Sequence, residues 1–176
     1  ILSDSPPEKD VMWSDTGVAA ANKFLQKVWN LNLSIIQRDN ISADKKVINK
    51  FNLDINSLVY KIDKSIEEFK FNVAIAHFYE AYKIFNSYLK LKVDNEILRK
   101  NIIKFFKLII PFTPHLAYEC LELLKCETTN SWPEIKNNFA KEIKMAVQIN
   151  GKTRDVINIS SGMEQKQVNE WIEKNS

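Results

Sequence analysis

Glycine occurs three times in 176 residues, proline five times, and cysteine and histidine twice each. So little turn chemistry excludes a sandwich or barrel of many tight hairpins and favours long helices with few connections. Two cysteines, Cys120 and Cys126, make no disulfide framework, and their spacing is not that of a zinc site. They read as reduced thiols of a cytosolic protein. The two histidines, His77 and His115, have no acidic or nucleophilic residue beside them in a catalytic pattern, and no glycine-rich phosphate loop or metal-ligand cluster occurs. No run reaches the ~18 apolar residues of a membrane span, and no secretory signal is visible. Arginine is scarce too: only Arg38, Arg99 and Arg154 stand among 25 basic residues. With abundant Lys, Asn and Ile, that scarcity fits AT-rich coding. The abrupt start at Ile1-Leu2-Ser3 and the stop at Asn175-Ser176 are expected to be boundaries within a longer chain.

What is present describes an ordinary globular chain, 45% hydrophobic and 27% charged. Its length suffices for one substantial core with a small appendage. A net charge of +3 is compatible with a nucleic-acid partner and does not require one.

The apolar pattern is helical from residue 14 to about residue 126. Ser14 is expected to cap a first helix, with Asp15 in its first turn and Val18, Ala21, Leu25, Val28 and Trp29 on its inner face. Residues 37–52 read as a loop. In the next helix Ile55, Leu58, Val59, Ile62, Ile66 and Phe69 fall within an arc of about 100°. Asn72 is the expected cap of a third helix, whose broad stripe runs through Ala74, Phe78, Ala81, Tyr82, Phe85, Tyr88 and Leu89. Asp94 caps a fourth, apolar almost all round and hence central, with Phe105, Phe106 and Ile109 among the most buried residues. Pro111 ends it. Thr113-Pro114 supplies a cap and an N1 proline for a fifth helix. Short connections favour antiparallel neighbours.

After residue 126 the pattern changes. Residues 127–142, with Trp132-Pro133, have the composition of a linker. Ile143, Met145, Val147 and Ile149 then alternate as a strand, Asn150-Gly151 is a hairpin turn signal, and residues 152–159 return as a second strand. A two-residue turn sets Lys152 and Arg154 opposite Ile149 and Val147, a mismatch that a bulge would correct. Ser161-x-x-Glu164 resembles a capping box before a short helix bearing Val168, Trp171 and Ile172. The expected fold is mainly α: an antiparallel helical bundle over residues 14–126, preceded by an extended segment at 1–13. A linker at 127–142 and the start of a small, incomplete α/β appendage at 143–176 follow it.

No catalytic residue is expected. His77 and His115 read as structural, His115 bonding backbone between helices. The foremost binding candidates are Lys23 and Lys27, four residues apart and about 6 Å along a helix axis. They face away from Val18 and can grip successive phosphates. On spacing alone the pair reads as a solvated helix back. Lys152 with Arg154 is a second candidate pair. A third is the strip Lys100, Lys104 and Lys107, expected to face solvent.

Three stretches carry a family resemblance. Ser5-Pro6-Pro7-Glu8 with Trp13-Ser14-Asp15 and Gly17-Val18 is the first. Phe24-Leu25 with Val28-Trp29, and Pro114-His115 downstream, form the second. Val147-Gln148-Ile149-Asn150-Gly151-Lys152-Thr153-Arg154 is the third. In this order they resemble a bacterial leucyl-tRNA synthetase beyond its catalytic domain, and they cover nearly the whole chain. Leu121, where that family often has Trp, and Asp155, where a small residue is common, depart from the pattern.

The resemblance implies a cytoplasmic, monomeric, ATP-dependent leucine–tRNA ligase. Its catalytic domain would bind ATP and magnesium, and tRNA(Leu) and the rest of the polypeptide would be the partners. It also implies that the family's basic residues near tRNA fall at Lys23 and Lys27, as lysines here. Neither a His-x-Gly-His nor a Lys-Met-Ser-Lys signature occurs, so this stretch is expected to hold tRNA without catalysing and without a cofactor. The same module of a valyl-, isoleucyl- or methionyl-tRNA synthetase, or a non-enzymatic helical interaction module, are the alternatives.

Overall fold

In the computed structural model of the chain, residues 9–10, 13–39, 43–91, 93–129 and 131–135 are described in full, and 142–149 and 152–160 by their backbone. Two compact units divide at Ile135/Lys136. The first holds α1 (Asp15–Ile36), α2 (Lys45–Glu67), α3 (Phe71–Lys90), α4 (Asn95–Ile109) and α5 (Pro114–Leu123).

The organising element is α4. Its cap, Asp94, accepts from the amides of Glu96 and Ile97 at 2.8 and 3.4 Å. Leu98, Ile102, Phe105, Phe106, Leu108 and Ile109 are buried, and α4 packs against each of the other four helices. Each such side chain contributes on the order of 1.5–3 kcal/mol relative to exposure. A relay of aromatic contacts extends from it. Phe51 of α2 meets Phe85 of α3 edge-on at 5.6 Å. Phe85 meets Phe105 of α4 at 6.1 Å, Phe105 meets Phe78 of α3 at 6.0 Å, and Phe78 meets Phe112 of the α4–α5 turn at 4.9 Å. Such pairs add about 0.5–1.5 kcal/mol beyond burial.

Two of the three arginines lace α1 to α4. Arg99 donates to the carbonyl of Ile36 at 3.1 Å, and Arg38 donates to that of Val93 at 3.0 Å. Asn95 in turn donates to the Arg38 carbonyl at 3.2 Å. A cation on the last carbonyls of α1 opposes the negative end of that helix.

Several sequence expectations are corrected. Residues 45–52 are helix, not loop: α2 starts on the side chain of Asp44, which accepts from the Lys46 amide at 2.8 Å, and its early residue Phe51 is completely buried. Val47 and Phe51, separated by Ile48, Asn49 and Lys50, lie one turn apart and carried the helical period. Phe69 is not on the inner face of α2. It is 66% exposed, at φ 57°, where the helix turns off. The amides of Phe69 and Lys70 return to the carbonyls of Ile66 and Ser65, a Schellman closure. Lys125 repeats it at the end of α5, at φ 56°, with Lys125 and Cys126 bonding Glu122 and Leu121. Glycine favours such positions, and this chain places Phe and Lys there. That reversal leads straight into α3, so Lys70 rather than Asn72 precedes its first turn, without a side-chain cap. Thr113 caps no amide either, and its hydroxyl is buried without a partner among the described residues.

The second correction of consequence concerns α1. Its buried residues are Phe24, Val28, Leu31, Asn32 and Ile35, while Val18 is 47% exposed and Ala21 is exposed. Only the later turns of α1 enter the core.

Part of the expected linker is also fixed to the bundle. Lys107 donates to Thr128 and Ser131 hydroxyls at 3.1 and 2.7 Å, Trp132 donates to Asp63 at 2.8 Å, and Pro133 is buried.

In the second unit β1 (Glu142–Ile149) pairs antiparallel with β2 (Lys152–Ser160). The register shifts by one between Val147 and Gln148, leaving Arg154 as the extra residue. Beyond that bulge Met145 faces Ile157 and Ile143 faces Ile159, so the apolar residues of both strands fall opposite one another. The expected helix near residues 164–172 lies outside the described residues.

Candidate nucleic-acid interface

Because α1 buries the stripe centred on Val28, the angular order of its other residues is fixed. Leu25 and Trp29 border the core. Gln26 and Asn30 come next, and Lys23 and Lys27 follow, roughly 85–125° from the stripe centre at ~100° per residue. Lys23, Gln26, Lys27 and Asn30 are all exposed. Their i, i+3, i+4, i+7 spacing makes one polar face. Neither lysine forms an ion pair among the described residues, whereas Lys61, Lys64 and Lys70 are paired with Glu80, Glu67 and Glu68. The two ammonium groups are therefore available to an outside anion. The sequence argument placed them outward by reference to Val18. Val18 is not core, but the outward placement holds by reference to Val28.

Beside the lysines lies an open cleft of about 430 Å³, lined by Leu25, Gln26, Trp29, Asn30 and Leu116. Gln26 and Asn30 were not singled out from the sequence, and Trp29 was read there as an inner-face residue rather than part of a site. The polar i, i+3, i+4, i+7 spacing with the lysines was the signal that could have found the two amides.

The other candidates separate. Lys152 and Arg154 lie two residues apart in β2, with Arg154 at the bulge. The strip Lys100, Lys104, Lys107 does not face solvent as a unit. Lys100 is exposed, Lys104 donates to Asn56 and Asn101, and Lys107 is buried on two hydroxyls. The last two are structural because α4 is surrounded, so even its polar strip meets neighbouring elements. His77 contacts Glu80 at 3.1 Å within α3. His115 is exposed and makes no hydrogen bond among the described residues, contrary to the bridging role expected of it. Pro114 places it in the first turn of α5, pointing off the bundle.

Burial governs the two largest shifts. It raises the Cys120 thiol to about 12, with Glu119 adding to the effect, so this cysteine is a poor nucleophile. Tyr88 is likewise raised, first by burial and then by its 2.6 Å hydrogen bond to Asp54. Among the described residues no group of acids, histidines or cysteines is arranged to hold a metal, and no helix is long and apolar enough to cross a membrane.

The helical bundle belongs to a recognised class. Residues 44–170 match the anticodon-binding domain of tRNA ligase, and the chain belongs to that family. Its curated relatives include leucine–tRNA ligases. That of Prochlorococcus marinus subsp. pastoris is 33% identical across 97% of this chain and 21% of its own length. That of Thermosipho melanesiensis is 35% identical across 89% and 21%. That of Bartonella henselae is 34% identical across 98% and 21%. The chain thus spans about a fifth of the relatives it matches. Among solved structures, the agnB2 LeuRS of Agrobacterium radiobacter K84, in a ternary complex with tRNA and LeuAMS, superposes with a TM-score of 0.73. It is 22% identical and matches 97% of this chain and 23% of that one. This likeness shows the fold.

Proposed function

We propose that the chain is the tRNA-holding part of a leucine–tRNA ligase and is itself non-catalytic. The observation that carries this reading is the pair Lys23 and Lys27: exposed, one turn apart and without an ion pair among the described residues, on α1, the helix that precedes the residues 44–170 matched to the anticodon-binding family. Two cations at that spacing match the backbone of a polyanion, and the adjoining cleft carries no carboxylate to repel it. The leucine assignment is supported by the relatives, which are leucine–tRNA ligases over nearly all of this chain. The partners are then tRNA(Leu) and the remaining four-fifths of such an enzyme, where ATP and magnesium would act. The hairpin residues Lys152 and Arg154 offer a second phosphate contact from the other unit.

Titration of the chain with a tRNA(Leu) transcript at about 50 and about 200 mM salt tests the reading. Binding that weakens as salt rises is expected, and absence of binding at the lower salt would overturn it. Leucine-dependent ATP–pyrophosphate exchange by the pure chain should stay at background. Exchange above background would contradict the non-catalytic part of the proposal.

A further inference from the structure

Beyond its two lysines, the outer face of α1 carries a cleft that phosphate binding alone does not use. We propose that this cleft is a nucleobase subsite, in which an unpaired base of the bound RNA stacks on Trp29 and meets the amides of Gln26 and Asn30. The inference rests on the tRNA-holding reading above and adds a second kind of contact to it.

Trp29 is the residue that argues for it. Three tryptophans have described side chains. Trp13 and Trp132 each donate their indole N–H to a carboxylate, Asp15 at 3.0 Å and Asp63 at 2.8 Å. Trp29 has no such partner among the described residues, although it packs against the core and lines the cleft. A half-buried ring that packs against the core and also lines an open cleft offers a preorganised stacking surface, with little rotamer entropy left to lose on binding.

The rest of the lining fits the same ligand. Leu25 and Leu116 are apolar, as a base face requires. Gln26 and Asn30 are exposed amides, each with donors and an acceptor, which suit the mixed edge of a base. Around the helix the order runs Trp29, Gln26, Asn30, Lys23, Lys27. Gln26 and Asn30 thus lie between Trp29 and the lysines. At about 430 Å³ the cleft is of small-ligand size. An apolar peptide would find the aromatic but would leave two amides and two lysines without a counterpart.

The test is a protein in which Trp13, Trp132 and Trp171 are changed to Phe, so that Trp29 alone reports. It is titrated with an oligouridylate and with an abasic phosphodiester of the same length. Quenching of Trp29 by the oligouridylate, which should bind about tenfold more tightly than the abasic chain, is the expected result. Equal binding without quenching would overturn the subsite while leaving the tRNA-holding reading intact. Failure of the tRNA(Leu) transcript to bind at all would overturn both.

Substitutions give an independent reading. Trp29→Leu should weaken transcript binding about tenfold at every salt concentration without changing the salt slope, while Trp29→Phe retains most of it. Because Trp29 touches the core, melting temperatures are measured alongside. The exposed pair Gln26→Ala/Asn30→Ala needs no such control and should weaken binding by a smaller factor. Wild-type affinity in both the folded Trp29→Leu protein and the amide pair would overturn the proposal and leave the cleft to a protein partner.

Discussion

Helices α1 and α4 are both rich in apolar residues, yet they do opposite things. Every turn of α4 contributes buried residues, to the point that Lys107 is buried and satisfied by hydroxyls, and only Glu96 and Lys100 are exposed. In α1 only Phe24 onward enters the core, and Val18, Ala20 and Ala21 remain exposed. The difference lies in side-chain size and in the number of neighbours, not in hydrophobicity alone. Small residues early in α1 bury little area and leave an apolar groove of about 500 Å³ against Ile75, Tyr79, Phe112 and Leu116. A helix that packs along one late stripe keeps most of its circumference for other work. A helix packed on all four others keeps little.

The largest expected effect follows from that contrast. Phe106→Ala in α4 should cost about 3–5 kcal/mol in a urea titration, whereas Val18→Ala in α1 should stay within about 0.5 kcal/mol. Comparable costs would erase the distinction between the two helices. Next comes charge. Lys107→Ala removes two charge-assisted hydrogen bonds from a buried position and should destabilise by about 1–3 kcal/mol, while Lys23→Ala should be nearly neutral. Smaller still is a gain. Lys125→Gly at φ 56° relieves a left-handed conformation and should stabilise by about 1 kcal/mol, read as a higher urea midpoint at unchanged slope.

The cysteines sharpen the same comparison of inside with outside. In native protein at neutral pH a thiol reagent should label Cys126, which is partly exposed, well before Cys120, which is fully buried. Equal rates would show that the α5 face opens readily. The Cys120 thiol rises from its ordinary 9.0 to about 12, so the native state holds a proton that the unfolded state releases. The corresponding stability is complete below about pH 9 and is lost as pH rises toward about 12. Tyr88 acts in the same direction. Urea midpoints that stay flat across that window would contradict both burials.

Much of this was legible from residue spacing. The fourth helix, its Asp94 cap, the burial of Phe105, Phe106 and Ile109, and the antiparallel pairing of β1 with β2 follow from period and turn chemistry. The failures share a cause. Val18 and Phe69 are apolar and in phase, yet they sit where the chain enters or leaves a helix, and whether a neighbour covers an end is a tertiary fact. Residues 45–52 hid a helix because their apolar positions are sparse among lysines and asparagines. Lys107 looked solvent-facing because a polar strip on an enclosed helix is indistinguishable, in one dimension, from an exposed one. At the candidate interface, the exposure of the lysine pair could be read from its spacing, although spacing alone pointed to a solvated helix back. The cleft beside it could not, since Leu116 reaches it from another helix.

The central claim is that the free outer face of α1 holds RNA, and the most direct measurement is the salt dependence of tRNA(Leu) binding by the Lys23→Ala/Lys27→Ala protein. If the two ammonium groups neutralise phosphates, affinity falls and the slope of log affinity against log salt flattens by roughly one to two counterions, with the urea midpoint unchanged. An unchanged slope at unchanged affinity would contradict the account and leave Lys23 and Lys27 as the solvated back of a helix.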